Sequence, residues 1–429
     1  MQAIERRVLE AIDVEGLLRY LCEIVALPSL GGQESAAQEN VAAFMERCGL
    51  AVDLWELDFE GLRRHPAYSV EIQRERGLGL VGVMGEGAGG RDLILNGHID
   101  VVPAGDEANW RYPPWQGTLD QGRVYGRGTV DMKGGLCCAL FAAQALRDAG
   151  VRLKGRLMVQ SVIGEEDGGV GTLAAILRGY RADGAVVVEP TELAVVPAQA
   201  GALNFRLTVP GLSAHGCVRE EGVSAVEKFI PLYQALVALE RERNRQAQDP
   251  LFARYELPYP LCVGTVRAGN WASTVPERLT CEGRYGVAVG EDLAAARRAL
   301  EERVAQAAQA DPWLRDHPPQ VEWWGGQFAP ARIPADHPLV ETVCGAYNDV
   351  SGTPARVEGV TYGADMRLLV NEGRTPTVLF GPGDVRRAHK PDEYVSVDEL
   401  VAAVRTLALV VMRFCGYDSI CLNSSSRLS

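Results

Sequence analysis

The spacing of apolar residues along the chain predicts two kinds of folded segment. In the first kind, short continuous apolar runs alternate with helices. The runs predict strands at residues 52–57, 78–84, 92–100, 155–163, 184–189 and 376–380, and helices are predicted at 4–26, 35–48, 134–149, 170–178, 338–349 and 397–415. Because continuous apolar strands are typical of a sheet covered on both faces, we predict an α/β fold with a mostly parallel central sheet flanked by helices.

The pattern changes between residues 199 and 325. Strand and helix signals there follow the order β-α-β-β-α-β, starting with an alternating strand at 203–209. That order predicts an inserted ferredoxin-like α+β unit. We therefore predict one α/β domain made of residues 1–198 and 326–429, and an inserted domain at 199–325. Residues 418–429 carry little pattern, and we expect them to be a disordered tail.

The composition argues against some partners and compartments. The 429 residues carry a net charge of −13, which disfavours nucleic acid or an anionic membrane surface as a partner. The ten cysteines form no CxxC motif, and the N-terminus mixes acidic and basic residues, unlike a signal peptide. No apolar run approaches the ~18 uncharged residues that a membrane span needs. We therefore expect a cytoplasmic protein with reduced thiols.

Histidine and carboxylate side chains stand at the ends of predicted strands or in the adjoining loops. They are His98, Asp131, Glu166, Glu189 and His389. Strand ends meet at one edge of an α/β sheet, which is where such folds bind ligands. Imidazole and carboxylate donors without thiolate suit zinc, cobalt or manganese. Two neighbouring metal ions need a shared ligand, and Asp131, in a glycine-rich turn, is the natural bridge.

Two adjacent glutamates, Glu165 and Glu166, follow the strand predicted at 155–163. Adjacent residues in an extended segment point to opposite sides, so one can bind a metal ion while the other faces the water between the metals. A carboxylate in that position can take a proton from the water and later pass it to a leaving amine. Asp100 shares a face with His98 and can accept the second N–H of its ring, which would fix the tautomer.

Each of these motifs, taken alone, also has a common structural explanation. A GEED turn is usually a solvated loop, an isolated His-x-Asp is seldom a metal site, and a strand-end glutamate before Pro-Thr is mostly a turn or a cap. The occurrence of all of them at strand ends in one chain is what favours a metal-dependent hydrolase centre.

The motifs resemble those of a known family. NGHIDVVP, YGRGTVDMKGG, GEEDGG, VEPT and GPGDVRRAHKPDEYV occur in the order found in the zinc-dependent amidohydrolases and exopeptidases. That family includes acetylornithine deacetylase, succinyl-diaminopimelate desuccinylase, aminoacylase and carboxypeptidase G. The resemblance covers residues 15–415, nearly the whole chain. It implies an enzyme with two zinc ions, for which cobalt or manganese can substitute.

The resemblance also implies a role for each metal ligand. His98 and Glu189 would hold one zinc ion. Glu166 and His389 would hold the other, and Asp131 would bridge the two.

Three further residues would act in catalysis by the same resemblance. Glu165 would be the general base and then the acid, and Asp100 would orient His98. The inserted domain would be a lid that also forms a homodimer. His215, in Ser-Ala-His-Gly, would then reach the partner subunit's active site and stabilise the oxyanion. A capping or surface histidine is the structural alternative for His215.

The resemblance leaves the substrate open. Asn270 and Arg284 match lid positions that bind a substrate carboxylate, for which the arginine fork is suited. An exposed strand residue is the alternative explanation of Arg284. The segment VTYGADMR at 360–367 departs from the commoner threonine-aspartate-x-arginine form. Tyr362 and Gly363 in that segment therefore leave the exact substrate undecided, and we include Gly363 among the predicted substrate contacts.

The implied reaction is hydrolysis of the amide bond in an N-acyl amino acid or a similar small N-acyl compound. A metal-bridging water would attack, with Glu165 as the general base. The GPGDVRRAHKPDEYV and HPAY segments favour an acetylornithine deacetylase-like deacylase. A metallo-carboxypeptidase or dipeptidase of the same family, acting on a dipeptide, is the alternative. A third hypothesis is a metal-free binding protein with the same fold, against which the complete ligand set argues.

Overall fold

The structure is a computed structural model that describes residues 1–87, 89–246 and 249–418. Its strands are β1 (Ala51–Glu56), β2 (Leu78–Met84), β3 (Leu93–His98), β4 (Thr118–Asp120), β5 (Arg123–Tyr125), β6 (Leu157–Val162), β7 (Gly184–Val187), β8 (Val195–Gln199), β9 (Gly201–Pro210), β10 (Leu261–Ala268), β11 (Arg278–Val287), β12 (Gln320–Phe328), β13 (Ala331–Arg332), β14 (Val357–Val360), β15 (Thr377–Leu379) and β16 (Tyr394–Ser396). Its helices are α1 (Ala3–Glu10), α2 (Val14–Val25), α3 (Ser35–Arg47), α4 (Phe59–Leu62), α5 (Gly134–Asp148), α6 (Val170–Leu177), α7 (Ala225–Gln246), α8 (Leu293–Gln309), α9 (Pro312–Asp316), α10 (Pro338–Ser351), α11 (Met366–Asn371) and α12 (Val397–Cys415). Shorter helical turns lie at Glu107–Asn109, Thr129–Lys133, Gly216–Glu221, Pro250–Phe252 and Val385–Arg387.

A large mixed sheet forms the centre of the molecule. Its strands follow the order β1-β2-β6-β3-β7-β15-β8-β13, and β14 pairs with β8. The central strands β6, β3, β7 and β15 are parallel, whereas antiparallel pairs lie toward both edges. Every residue of β3, β6 and β7 is buried, which is why their sequences are largely apolar and show no regular alternation with exposed polar residues. The predicted α/β fold is confirmed, with antiparallel strands flanking the parallel centre.

Helices cover this sheet. α5 is buried at almost every position because it consists largely of small and apolar residues, and it packs against α12 and β3. α3 and α6 pack against β2. The helix predicted at 4–26 is in fact two helices, α1 and α2. The break falls at Asp13, whose side chain accepts the N–H of Gly16 at 2.8 Å and caps α2.

A second sheet has four antiparallel strands in the order β10-β11-β9-β12. The helices α7 and α8 pack against each other, and α7 also packs on this sheet. Alternate residues of β9, namely Leu203, Phe205 and Leu207, are buried in a core that also contains Leu236 of α7 and Leu300 of α8. The elements of this unit follow the predicted β-α-β-β-α-β order.

The chain crosses between the two sheets at neighbouring points. A single residue, Ala200, separates β8 from β9, and two residues separate β12 from β13. Ala331 of β13 pairs with Gln199 of β8. The outgoing and returning segments therefore lie side by side where they leave the large sheet.

Three sequence expectations concern the rest of the chain. No helix in the described ranges is both long and apolar enough to cross a membrane. Nine cysteines are described, and all nine are unpaired. Of the predicted tail at 418–429, only Asp418 is described, and its backbone N–H donates to the carbonyl of Arg152 at 3.0 Å. Residues 419–429 lie outside the described part of the chain.

Candidate metal centre

Several candidate ligands lie at the carboxyl ends of the central strands, along one edge of the large sheet. His98 is the last residue of β3, and Glu165 and Glu166 follow the end of β6. Glu189 comes two residues after β7. Because β6, β3 and β7 are neighbouring parallel strands, these side chains emerge next to one another at the carboxyl ends.

Asp131 and His389 reach the same place from loops. Asp131 lies in the turn that leads into α5, and the peptide bond between it and Met132 is cis. Its Oδ1 lies 3.1 Å from Nε2 of His98, and its Oδ2 lies 3.4 Å from Nε2 of His389. Each oxygen of this carboxylate thus faces a different imidazole, which is the arrangement that a ligand shared by two metal ions requires.

The remaining donors surround this carboxylate. Glu166 lies 3.1 Å from Nε2 of His389. Oε1 of Glu189 and Oε2 of Glu165 lie 3.9 and 4.0 Å from Nε2 of His98. Two groups have ligand atoms within 4.8 Å of one another: His98, Glu165 and Glu189, and His98, Asp131 and Glu166. The structure therefore brings together the five predicted ligands and Glu165.

Burial and mutual repulsion determine the electrostatics of this cluster. Burial, together with neighbouring carboxylates, raises the pKa of Glu165 and Glu189 well above the usual range and also raises that of Glu166. Hydrogen bonds to Asp131 and Glu166 raise the pKa of His389 to about 11. Four carboxylates share this largely buried site with two imidazoles, so negative charge is left uncompensated. Divalent cations would supply the missing charge, and the oxygen and nitrogen donors fit them.

Asp100 is positioned differently from the prediction. Its main-chain carbonyl lies 2.9 Å from Nδ1 of His98, whereas its carboxylate is 3.7 Å away. The carboxylate instead accepts the backbone N–H groups of Glu165 and Glu166, at 3.3 and 3.1 Å. The predicted acceptor for the His98 ring was therefore wrong, because two backbone donors engage that carboxylate. Asp100 holds the imidazole through its backbone and the loop of the two glutamates through its side chain.

One buried carboxylate near Asp131 was missed by the sequence analysis. Glu393 follows His389 by four residues and accepts the N–H groups of Val130 and Asp131, at 3.1 and 3.3 Å. It also forms an ion pair with Arg127. The available signal was its place in the AHKPDEYV segment, because a carboxylate so close in sequence to a ligand stays close to the centre in space.

Two predicted substrate-binding residues lie where the second sheet meets the large one. Arg284, on β11, is half-buried and donates from Nη2 to the carbonyl of Thr361 at 2.6 Å, beside Tyr362. Gly363 packs against Phe328, and a Cβ at position 363 would lie 2.5 Å from the Cβ of that phenylalanine. Close packing thus accounts for this glycine, and its predicted substrate contact stays a prediction.

His215 and Asn270 lie in the inserted segment. His215 is exposed and pairs with Thr274, and its Nδ1 accepts the N–H of Cys217 at 3.2 Å, so it caps the following helical turn. Asn270 and Ser213 line a surface cleft of about 330 Å³. His215 belongs to neither group of ligand atoms around Asp131. The catalytic and substrate-binding roles of His215 and Asn270 stay predictions.

A sheet with parallel central strands and with imidazole and carboxylate donors along one edge is an arrangement typical of metal-dependent hydrolases. Residues 94–413 match the model of the peptidase family M20/M25/M40, and the chain belongs to that family. It is 31% identical over 427 residues to the N-formyl-4-amino-5-aminomethyl-2-methylpyrimidine deformylase of Halalkalibacterium halodurans, which covers 94% of this chain and 95% of that protein. The Bacillus subtilis protein of the same name is 27% identical over 398 residues, covering 88% of this chain and 89% of its own length.

Solved structures share the fold. A metallo-carboxypeptidase of the same family from Sulfolobus solfataricus superposes with a TM-score of 0.72 at 17% identity, covering 92% of this chain and 98% of that one. A di-peptidase from Saccharomyces cerevisiae gives a TM-score of 0.75 at 14% identity, covering 96% and 98%. Family membership and the named deformylase relatives identify the chain as an amide-hydrolysing enzyme rather than a metal-free binding protein.

Proposed function

We propose that this chain hydrolyses the amide bond of a small N-acyl amine at a centre of two divalent metal ions. The position of Asp131, with one oxygen toward His98 and the other toward His389, is the observation that carries the proposal. In this proposal, His98 and Glu189 would hold one ion, Glu166 and His389 would hold the other, and Asp131 would be shared by both. When bound, zinc, cobalt or manganese ions polarise the amide carbonyl and lower the pKa of a water molecule.

Glu165 is the proposed general base. Its side chain is buried, and its Oε1 has no hydrogen-bond partner among the described residues. Burial and the neighbouring Glu189 hold its pKa well above the usual range. A raised pKa suits a carboxylate that takes a proton from water and then gives it to the nitrogen of the leaving amine. The water oxygen ends in the released carboxylic acid, and the proton ends on the amine.

A formyl group, or another short acyl group, is the proposed acyl part of the substrate. The support comes from the 31% identical relative, which is named for removing a formyl group from an aminomethylpyrimidine. Tyr362 is the proposed contact for an aromatic amine such as an aminopyrimidine. Its hydroxyl group donates to the carbonyl of Pro190, next to Glu189, at 3.2 Å, which supports this proposal. Its ring offers an aromatic surface beside the ligands. N-acyl amino acids, indicated by the sequence motifs, remain within the proposed class.

The inserted segment completes the proposed site. Arg284 and Asn270 of this segment, together with the loop at Gly363 after β14, contact the part of the substrate beyond the amide bond. His215 acts across a homodimer formed through the inserted segment, where it stabilises the oxyanion in the partner subunit's active site. The exposure of His215 and of apolar side chains such as Ile230 on α7, which is 51% exposed, supports a second copy covering part of the inserted segment.

The test is a panel of amides assayed after reconstitution with zinc, cobalt or manganese. The panel contains N-formyl, N-acetyl and N-succinyl amino acids, the N-formylated aminomethylpyrimidine and dipeptides. We expect turnover of N-acyl compounds, fastest for a formyl group, and loss of turnover after chelation. Turnover of dipeptides alone would instead assign the chain to the metallo-peptidase alternative.

The variant Glu165→Gln tests the general base, because glutamine keeps the size of the side chain and cannot accept the proton. We expect unchanged metal content and turnover lowered by about 10²–10⁴-fold. A variant that hydrolyses as fast as the wild-type chain would contradict the role of Glu165. A wild-type chain with fewer than about one bound ion after gentle purification would contradict the metal centre itself.

A further inference from the structure

Asp131 is held by a buried carboxylate from the loop that carries another ligand. Glu393 lies four residues after His389 and is almost completely buried. Its Oε1 accepts the N–H of Val130 at 3.1 Å and that of Asp131 at 3.3 Å, and its Oε2 pairs with Arg127. One carboxylate thus fixes the main chain on the N-terminal side of the bridging ligand.

The partner of this carboxylate is anchored in turn. Nη2 of Arg127 donates to the carbonyl of Pro103 at 3.2 Å, and its backbone N–H donates to that of Pro114 at 2.9 Å. The N–H of Gly126 donates to the carbonyl of Glu393 at 2.9 Å. The ion pair therefore connects the turn before α5 with two other segments and does not stand alone.

We propose that Glu393, supported by Arg127, is a positioning residue that aims the carboxylate of Asp131 at both imidazoles. A buried ion pair costs much desolvation free energy and adds little net stability, so stability does not explain its position beside a ligand. The backbone conformation of Asp131 does explain it. Asp131 has φ −126° and ψ 94°, which is non-helical within a helical turn, and Glu393 supplies the acceptor for its N–H. The inference rests on the proposed metal centre.

The same loop also carries His389, one of the two imidazoles that face Asp131. Glu393 therefore ties the bridging carboxylate to the segment of a terminal ligand, and displacing one displaces the other. A ligand's hydrogen-bonded partners commonly set metal affinity in this way.

Two variants test this role. R127M/E393M removes both charges and the acceptor, and replaces the ion pair by apolar side chains of similar length, a change that folded proteins often tolerate. E393Q keeps an acceptor oxygen and removes the charge. The matched control is R243M/E291M, which removes a half-buried ion pair of 2.5 Å in the inserted segment, away from the ligands.

The measurement is a titration of each full-length, metal-free protein with Co²⁺. Calorimetry and visible absorption monitor the titration. We expect R127M/E393M to bind cobalt about 10–100-fold more weakly, and E393Q about tenfold more weakly, as when a ligand loses its supporting partner. The cobalt absorption spectrum of both variants should change, because coordination geometry follows Asp131. The control should titrate like the wild-type chain.

The outcomes separate this role from the metal centre. Far-ultraviolet circular dichroism reports folding, and E393Q decides the question if the double variant does not fold. Wild-type affinity and spectrum in the folded variants would overturn the positioning role and leave the centre intact. A control that loses affinity equally would also overturn it, because any broken ion pair would then suffice. A wild-type chain that binds no cobalt overturns both proposals.

Discussion

At the scale of single residues, backbone groups organise the centre as much as side chains do. The ring of His98 is held by the main-chain carbonyl of Asp100, and the carboxylate of Asp100 holds two backbone N–H groups of the Glu165–Glu166 segment. The sequence showed that Asp100 would lie beside His98. It did not show which oxygen of Asp100 faces the ring. The distances from Nδ1 of His98 to the main-chain oxygen and to the carboxylate oxygen, 2.9 and 3.7 Å, differ by less than 1 Å.

Asp100→Asn tests this arrangement. Asparagine keeps the main-chain carbonyl, so we expect His98 and the bound metal to be retained. Its NH₂ group would face one of the two backbone donors, so the loop carrying Glu165 would be held less well, and we expect kcat to fall by about 10–100-fold. Metal analysis and steady-state kinetics measure the two effects separately. Metal loss as large as that of His98→Ala would contradict this assignment.

At the scale of elements, the sequence predicted the strands that are buried on both faces of the sheet. The strands β3, β6 and β7 are largely apolar because they lie in the middle of the large sheet, and the residues at or just after their ends include three candidate ligands and the candidate base. The elements β8 and α11 were missed. Pro197 interrupts β8 and weakens its signal as a strand, and the six residues of α11 span fewer than two helical turns, too few for a helical period to be recognised.

The cap of α9 provides a test of packing in the inserted segment. Asp311 accepts the N–H groups of Trp313 and Leu314 and a hydrogen bond from Lys228 of α7 at 2.7 Å. Burial alone would raise its pKa, but these hydrogen bonds outweigh it and hold the pKa below the ordinary value of 3.8. We expect Asp311→Ala to lower the free energy of unfolding by about 1–2 kcal/mol at pH 7.

The same substitution should be nearly neutral in strong acid. The folded state binds the Asp311 proton more weakly than the unfolded state does, so the stabilisation is present above pH 3.8 and is lost as the pH falls through the lower, folded pKa. Denaturant titrations at neutral pH and in acid below the folded pKa of Asp311 compare the two conditions. An equal loss of stability at both would show that the charge of Asp311 is not involved.

At the scale of the whole molecule, the cluster of buried carboxylates links folding to cations. Metal binding to the folded chain should raise the free energy of unfolding by about 2.7 kcal/mol at a free metal concentration of 100 times Kd. We therefore expect the thermal midpoint to fall on chelation and to recover with zinc or cobalt, as measured by calorimetry. Asp131→Asn, which removes the proposed bridging carboxylate, should recover less. Identical midpoints with and without metal would contradict this dependence.

The paired crossing between the two sheets has an evolutionary consequence. The chain leaves the large sheet after Gln199 and returns at Ala331, and these two residues face each other across neighbouring strands. A segment inserted at such a paired junction can be lengthened, trimmed or exchanged without altering the register of the strands that carry the candidate metal ligands. The surface proposed to select the substrate can therefore diverge within the family while the proposed metal centre is preserved.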